Sequence, residues 1–226
     1  MRIVYVDFDG TLVSTNMIHY LFHACVLAFQ ETKRAGHALR GAAVIASLPI
    51  LFLLDRVSAR ARDAFFHRLY RGLSASHFRS LLDRYWELHA AERTNQAVLG
   101  RVRSLEAEGY MPVIVSGSTR PVVETWRSRH PLFRAALCTD MQLDSCGRFS
   151  GRAAGPILVE GAKVTAIQDF ERDNRLTVEE RICIGDSIQD LPMLSHATRP
   201  IAANPSPALA REARRRSWEV LRGSHA

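Results

Sequence analysis

The sequence predicts an α/β fold: a parallel sheet with a helical segment inserted after its first strand. Three observations predict it. Short apolar runs end repeatedly in polar loops bearing Gly or Asp, helical patterns alternate with those runs, and residues 14–95 hold helical patterns alone. Short apolar runs bounded by turn signals suit strands buried on both faces, as in a parallel sheet. Helices alternating with such strands cover an open sheet on both sides.

Taken in order, residues 3–6 form the first strand, and Asp7 follows at once. Helices are then expected over 17–30, 42–54, 61–73, 76–90 and 96–109. Residues 112–115 make the second strand, ending at Ser116. A helix over 121–129 opens on Pro121, whose missing N–H costs nothing in a first turn. Around 137–151, Asp144-Ser145-Cys146-Gly147 predicts the turn of a small hairpin. A helix over 161–174, a strand over 182–184 before Gly185 and a helix over 189–196 come next. The strand at 200–203 ends at Asn204-Pro205, and a helix over 206–218 takes Ser206 as its N-cap. The expected division is a Rossmann-like core of residues 1–13 and 96–226, with 14–95 as a helical cap over the strand ends.

Composition narrows the class. A chain of 226 residues can hold one good core and a smaller lobe. Four scattered cysteines with no CxxC pair argue against zinc or dithiol chemistry. Cys138 and Cys146 come near each other across the predicted hairpin, with free thiols the expectation. Residues 2–6 already read as strand-forming, so no signal peptide is expected, and a cytoplasmic location is the expectation. Eleven Lys/Arg against six Asp/Glu give residues 14–95 a net +5 of the chain's +7. That balance suits an anionic substrate or surface, although solvated helix faces explain most of these arginines. The basic run Arg211 to Arg216 has no interleaved aromatics, and no nucleic-acid partner is expected.

Residues 41–54 carry no charge and are flanked by Lys33, Arg34, Arg40 and Arg56. The run is too short for an ordinary membrane span. A packed cap helix is the simpler expectation. The sharper one is an interfacial helix or greasy lid, peripheral at the inner face of a membrane and acting on a lipid phosphate.

Chemistry concentrates at the strand ends. Asp7 and Asp9, in Asp7-Phe8-Asp9-Gly10-Thr11-Leu12, can face one point because Gly10 lets the backbone turn. Ser116-Gly117-Ser118 offers a hydroxyl and amide N–H groups suited to phosphate. Lys163 begins a helix, and Asp186 and Asp190 bracket Ser187-Ile188-Gln189. Four close carboxylates repel one another, so a divalent cation is needed to keep them ionised. Oxygen donors without His or Cys point to Mg²⁺.

These residues carry a resemblance. The chain resembles the haloacid dehalogenase-like phosphatases, and among them the phosphoserine-phosphatase-like branch, through four ordered motifs: DFDGTL at Asp7 to Leu12, VSGS at Val115 to Ser118, Lys163, and GDSIQD at Gly185 to Asp190. The resemblance implies Asp7 as nucleophile and Asp9 as general acid and base. It implies Mg²⁺ on the Asp7 carboxylate, the Asp9 backbone carbonyl and Asp186, with Asp190 a ligand or orienting ligands from close by. Ser116, the Gly117 N–H and Lys163 would hold the phosphoryl oxygens. Similar phosphoserine phosphatases read the substrate amine with a Glu where this chain has Asn16, which argues against phosphoserine here.

The expected function is therefore Mg²⁺-dependent hydrolysis of a small phosphomonoester. A lipid phosphatase, a phosphotransferase using the same aspartyl-phosphate, and a catalytically silent phosphate binder are the alternatives. His19 and His23 stand at i, i+4, but packing is the simpler reading without a third ligand. Ser118, Thr119 and Arg120 are expected to cap the next helix, with Arg120 close enough to reach phosphate.

Overall fold

The computed structural model describes residues 1–223. Strand β1 (Arg2–Val6) leads into five helices: α1 (Met17–Thr32), α2 (Ala35–Ala46), α3 (Leu48–Val57), α4 (Ala59–His67), extended by a 3₁₀ turn at Arg68–Tyr70, and α5 (Ala75–Arg93). Then come α6 (Gln96–Ala107), β2 (Tyr110–Thr119), α7 (Arg120–Arg127), β3 (Ala135–Thr139), β4 (Met141–Leu143) and β5 (Phe149–Ala153). The chain continues through α8 (Gly161–Asp173), β6 (Glu180–Gly185), a 3₁₀ turn at Ile188–Asp190 and α9 (Leu191–His196). It closes with β7 (Arg199–Ala203), α10 (Pro207–Arg215) and β8 (Glu219–Leu221).

Six strands form one parallel sheet in the order β3-β2-β1-β6-β7-β8. The period-two geometry of a strand sends alternate side chains to opposite faces. In β1, Ile3 and Tyr5 therefore pack with Ile167, Met193 and Leu209, while Val4 and Val6 join Leu99, Val102 and Trp126 on the other side. Both faces are buried, as the unbroken apolar runs require. Strand order reverses at β1, with β2 on one side and β6 on the other. Ligands in open parallel sheets bind at the carboxyl ends beside such a reversal. Register brings the relevant loops level: Val6 lies beside both Ile114 and Ile184, and the Asp7 N–H donates to the Ile184 carbonyl at 2.9 Å.

The structure departs from the expected elements in five places. The expected helix over 42–54 is broken at Ser47, and α2 and α3 meet at a bend of 42°. Pro49 in the first turn of α3 explains the break, since its ring would crowd the carbonyl four residues back and it has no N–H to donate. Nor is this run cap core: of residues 41–54 only Gly41, Val44, Ser47 and Leu51 are buried. Strand β2 continues past Ser116 to Thr119, where a loop was expected, with a register shift against β3 between those two residues. β3 and β8 add two sheet strands that the sequence pattern did not reveal. The hairpin is β4 and β5 alone, with Asp144 Oδ1 accepting from the N–H groups of Cys146 and Arg148 in its turn. Finally, Ser206 stands at the N-cap of α10 without a side-chain cap bond. Cys138 is buried and Cys146 exposed, both as free thiols. Among the described residues no single helix is long and apolar enough to cross a membrane, although the bent α2–α3 pair has the length and composition to do so.

Candidate active site

Asp7 leaves β1 at the sheet's carboxyl edge and is almost wholly buried. Phe8 anchors the loop, its ring 5.5 Å from that of Trp126 and 6.2 Å from that of Trp86. The chain turns at Gly10, whose φ of +83° favours glycine. A Cβ there would also lie 2.5 Å from Asp186 Oδ2, so only glycine lets the two acidic loops close up.

A buried lysine holds this cluster together. Lys163 Nζ donates to Asp7 Oδ1 at 2.5 Å and to Asp190 Oδ1 at 2.7 Å. Burial alone would favour its neutral amine, but Asp190 and Asp7 hold the proton on well beyond the ordinary lysine range. Both Asp190 oxygens have protein donors, since Oδ2 accepts from the Ser187 N–H and hydroxyl. Thr11 Oγ1 lies 3.0 Å from both Asp7 Oδ2 and Asp186 Oδ1, bridging the two loops.

Asp9 faces the end of β2. Its Oδ2 accepts from the Ser118 hydroxyl at 2.5 Å, with Ser116 Oγ at 3.5 Å, and Ser116 Oγ itself accepts from the Ser118 N–H. Ser118 therefore serves the acidic pair and caps no helix, correcting the sequence expectation. Thr119 occupies the N-cap of α7 without a side-chain bond. Arg120 is held by Asp140 at 2.6 and 2.9 Å, and so is committed to an ion pair rather than to phosphate. Gly117 lies tight beneath α8's lead-in, where a Cβ would stand 3.3 Å from the Leu158 carbonyl.

Electrostatics show a shortage of positive charge. Burial raises the Asp7 carboxyl to about 6 despite Lys163. Asp9 rises to about 7, chiefly through burial, which outweighs its Ser118 hydrogen bond. Asp186 rises to about 8, through burial and then the charges of Asp7 and Asp190. Carboxyl oxygens of Asp7, Asp186 and Asp190 lie within 4.8 Å of one another, the one group of three candidate ligands found among the described residues. An all-oxygen donor set with excess negative charge fits a small hard divalent cation.

A cavity of ≈ 540 Å³ opens over these groups. Asp7, Asp9, Gly117, Lys163 and Asp186 form one wall; α1, α3 and α4 supply the opposite wall with Met17, Leu48, Leu51, Phe52 and Phe66. Asn16 reaches the cavity, but its Oδ1 caps α1 by accepting from the N–H groups of Ile18 and His19. His19 and His23 sit 4.2 Å apart, ring centre to ring centre, packed around Tyr85 as the simpler reading expected. Sequence reasoning missed Thr11 and Ser118 as partners of the acidic pair, and Arg62, Asp63 and Asp55 at the cavity. The first two lay inside the quoted motifs; nothing in the sequence marked the last three.

Acidic loops at the carboxyl ends of a parallel sheet, beside the reversal of strand order, define a class of α/β proteins that take charged ligands there. Within that class the chain belongs to the haloacid dehalogenase-like hydrolase family, whose profile matches residues 4–195. Phosphoserine phosphatase SerB2 of Mycobacterium tuberculosis is 27% identical over 92% of this chain and 45% of its own length. Phosphoserine phosphatase of Halobacterium salinarum is 24% identical, over 92% and 89% respectively. The chain spans about half the length of several relatives it matches. In fold it is similar to a protein of unknown function from Bordetella pertussis Tohama I, with a TM-score of 0.80, 22% identity and 97% of each chain covered. An apo phosphoserine phosphatase structure matches at 0.62, with 19% identity, over 93% of this chain and 90% of that one.

Proposed function

We propose that the chain is a Mg²⁺-dependent phosphatase that passes the phosphoryl group of a phosphomonoester through Asp7. The observation that carries this reading is the buried Lys163 on Asp7, with Asp9 across from it on a raised pKa. In the proposed reaction an Asp7 carboxylate oxygen attacks phosphorus as the ester P–O bond breaks. Asp9 enters protonated and gives its proton to the departing alkoxide oxygen. Once ionised, Asp9 takes a proton from a water whose oxygen attacks phosphorus, and the Asp7 carboxylate is released with inorganic phosphate. A pKa of about 7 leaves Asp9 able to hold either form near neutral pH.

Lys163, the Ser116 hydroxyl and the Gly117 N–H are the groups proposed to hold the phosphoryl oxygens, because positioning and charge neutralisation dominate phosphoryl transfer. Mg²⁺ would be held by the Asp7 and Asp186 carboxylates and the Asp9 carbonyl, supplying positive charge against the phosphoryl oxygens. Asp190, occupied by Lys163 and Ser187, suits an orienting role better than direct ligation. Residues 14–95 are read as a cap and the remainder as the catalytic core, a reading supported by a cavity that both segments line.

Relatives named phosphoserine phosphatase support a small phosphorylated substrate. Asn16, committed to capping α1, argues against an amino-acid headgroup. Release of inorganic phosphate from a panel of phosphomonoesters, with and without Mg²⁺, tests the proposal. Phosphate release that depends on Mg²⁺ and vanishes with chelator is expected; silence across the panel, or transfer to an acceptor other than water, would overturn it.

A further inference from the structure

A surface helix ordinarily turns its polar face outward. The α2–α3 pair turns apolar side chains outward as well as inward. Leu39, Ile45, Ile50, Leu53 and Val57 are all exposed, Val57 by 78%, and residues 41–54 carry no charge between them. Contiguous exposed apolar surface of this kind marks a contact with something outside the chain.

Two observations identify the occupant. Lys33 and Arg34 stand exposed before α2, and Arg56 and Arg60 at and beyond the end of α3, so the apolar surface is flanked by cations. That is the pattern of an interfacial helix pair, apolar side chains among acyl chains and cations at anionic headgroups. The second observation is continuity with the active site. Leu48 and Phe52 line the cavity that holds Asp7, yet are 39% and 63% exposed, so the cavity wall runs without interruption into the apolar surface. A protein partner would have no need of that continuity; a substrate with its phosphate on Asp7 and an apolar chain along α3 would.

Most polar groups near the mouth are already paired, Asp63 Oδ2 being the buried oxygen there without a hydrogen-bond partner. Arg62 is held by Asp63 at 2.6 Å and also pairs with Asp55, and Gln189 donates to Asp55 at 3.1 Å. Asn16 uses its Oδ1 to cap α1. What remains opposite the catalytic loops is Met17, Leu48, Leu51, Phe52 and Phe66.

We propose that the substrate is a lipid phosphomonoester, hydrolysed while α2 and α3 lie in the surface of the membrane that contains it. The proposal rests on the phosphatase reading above and names its substrate class. The ten residues of α3 are too few to span a bilayer alone, and the 42° bend at Ser47 keeps α2 and α3 from forming one straight span, so the proposal places the pair along the interface.

The test has two arms, both with the full chain. One sediments the protein with vesicles of phosphatidylcholine, with and without a minority of phosphatidate. The other measures kcat/KM on straight-chain alkyl phosphates of increasing length and on a small chromogenic phosphate. Expected are co-sedimentation with the phosphatidate vesicles and a rise in kcat/KM of about fourfold per methylene buried along α3. Ile50→Asn with Leu53→Asn, both outside the cavity, should abolish sedimentation while the melting temperature and hydrolysis of the small phosphate hold. Failure of either arm, with the small phosphate still hydrolysed, overturns the lipid proposal and leaves the phosphatase standing. Absence of hydrolysis on every ester overturns the phosphatase reading and this proposal with it. A dimer dissolved by the same substitutions would assign the surface to a second copy, and that too overturns the proposal.

Discussion

The catalytic loops and the α2–α3 pair face each other across one cavity and depart from ordinary burial in opposite directions. The loops bury charge: Asp7, Asp190 and Lys163 are each at most 5% exposed. The helices expose apolar surface, with Phe52 and Leu53 each more than 60% accessible. Charge in the loops has part of its compensation inside the protein: Lys163 bridges Asp7 and Asp190, while Thr11 and Ser118 give the other carboxylates hydrogen bonds but no positive charge. Apolar surface on the helices has no such partner among the described residues. A buried charge with its partners in place reads as a site; an exposed apolar face without any reads as a contact.

The sharpest way to break the comparison is at its centre. Asp7→Asn is expected to lower phosphate release by ~10³-fold or more, since an amide is a poor nucleophile. It should leave the metal-free melting temperature unharmed, because the buried carboxyl is already held up to about 6. Activity near that of the unaltered chain would remove Asp7 from the nucleophile's place.

Asp9→Asn separates the two chemical steps. A chromogenic ester with a good leaving group needs no proton donor, so the variant should give a burst of about one equivalent and then stall. Acid-quenched protein should carry the phosphoryl group. Steady turnover without a burst would mean Asp9 does not activate water.

Lys163→Met tests whether the loops depend on their internal cation. Leaving Asp7 and Asp190 buried without it should cost about 3–5 kcal/mol, read by denaturant melts. A smaller loss in Mg²⁺ than in chelator is expected, since both cations answer the same charge.

A pH series sharpens the loops' side of the comparison. Without a divalent cation, Asp7, Asp9 and Asp186 titrate at about 6, 7 and 8 when folded, against about 4 in an unfolded chain. The folded state then binds more protons over that range, so these groups make stability fall as pH rises from about 4 to 8. His67, in α4, behaves oppositely: burial lowers it to about 4, so its stabilisation is lost as pH falls below about 6.5. Between pH ~6.5 and ~8 only the carboxylates act. The melting temperature should drop across that window in chelator and level off in Mg²⁺. A flat profile in chelator would contradict the charge shortage.

The smallest expected effect concerns Asn16. If its side chain serves α1 as a cap, Asn16→Ala should cost about 1 kcal/mol, or a fall of about 2–4 °C in melting temperature. No change would free Asn16 to be a substrate contact.

Much of this was legible beforehand because it depends on short-range rules. The runs before Asp7, Ser116 and Gly185 suit buried parallel strands, and Gly10 and Gly117 mark places where the backbone must turn or approach closely. The family follows from the same four motifs. Strand β8 escaped because Glu219–Leu221 is only three residues long, and β3 because Leu137–Thr139 was read as part of the hairpin; both take their place by pairing at the sheet edges. Ser118 was read as a helix cap because its nearest neighbours in sequence form a helix, whereas its partner, Asp9, lies 109 residues away.

What the sequence determined by itself is the four central strands of the sheet, the acidic loops and the charge-free run at 41–54, each encoded in residue order over a few positions. What only the tertiary structure decided is which groups meet and which way the run faces. Hydrophobic periodicity is the same for a helix buried in a core and for one whose apolar side meets solvent. The packing of Gly41, Val44, Ser47 and Leu51 inward, with Leu48 and Phe52 at the cavity, settles the orientation here.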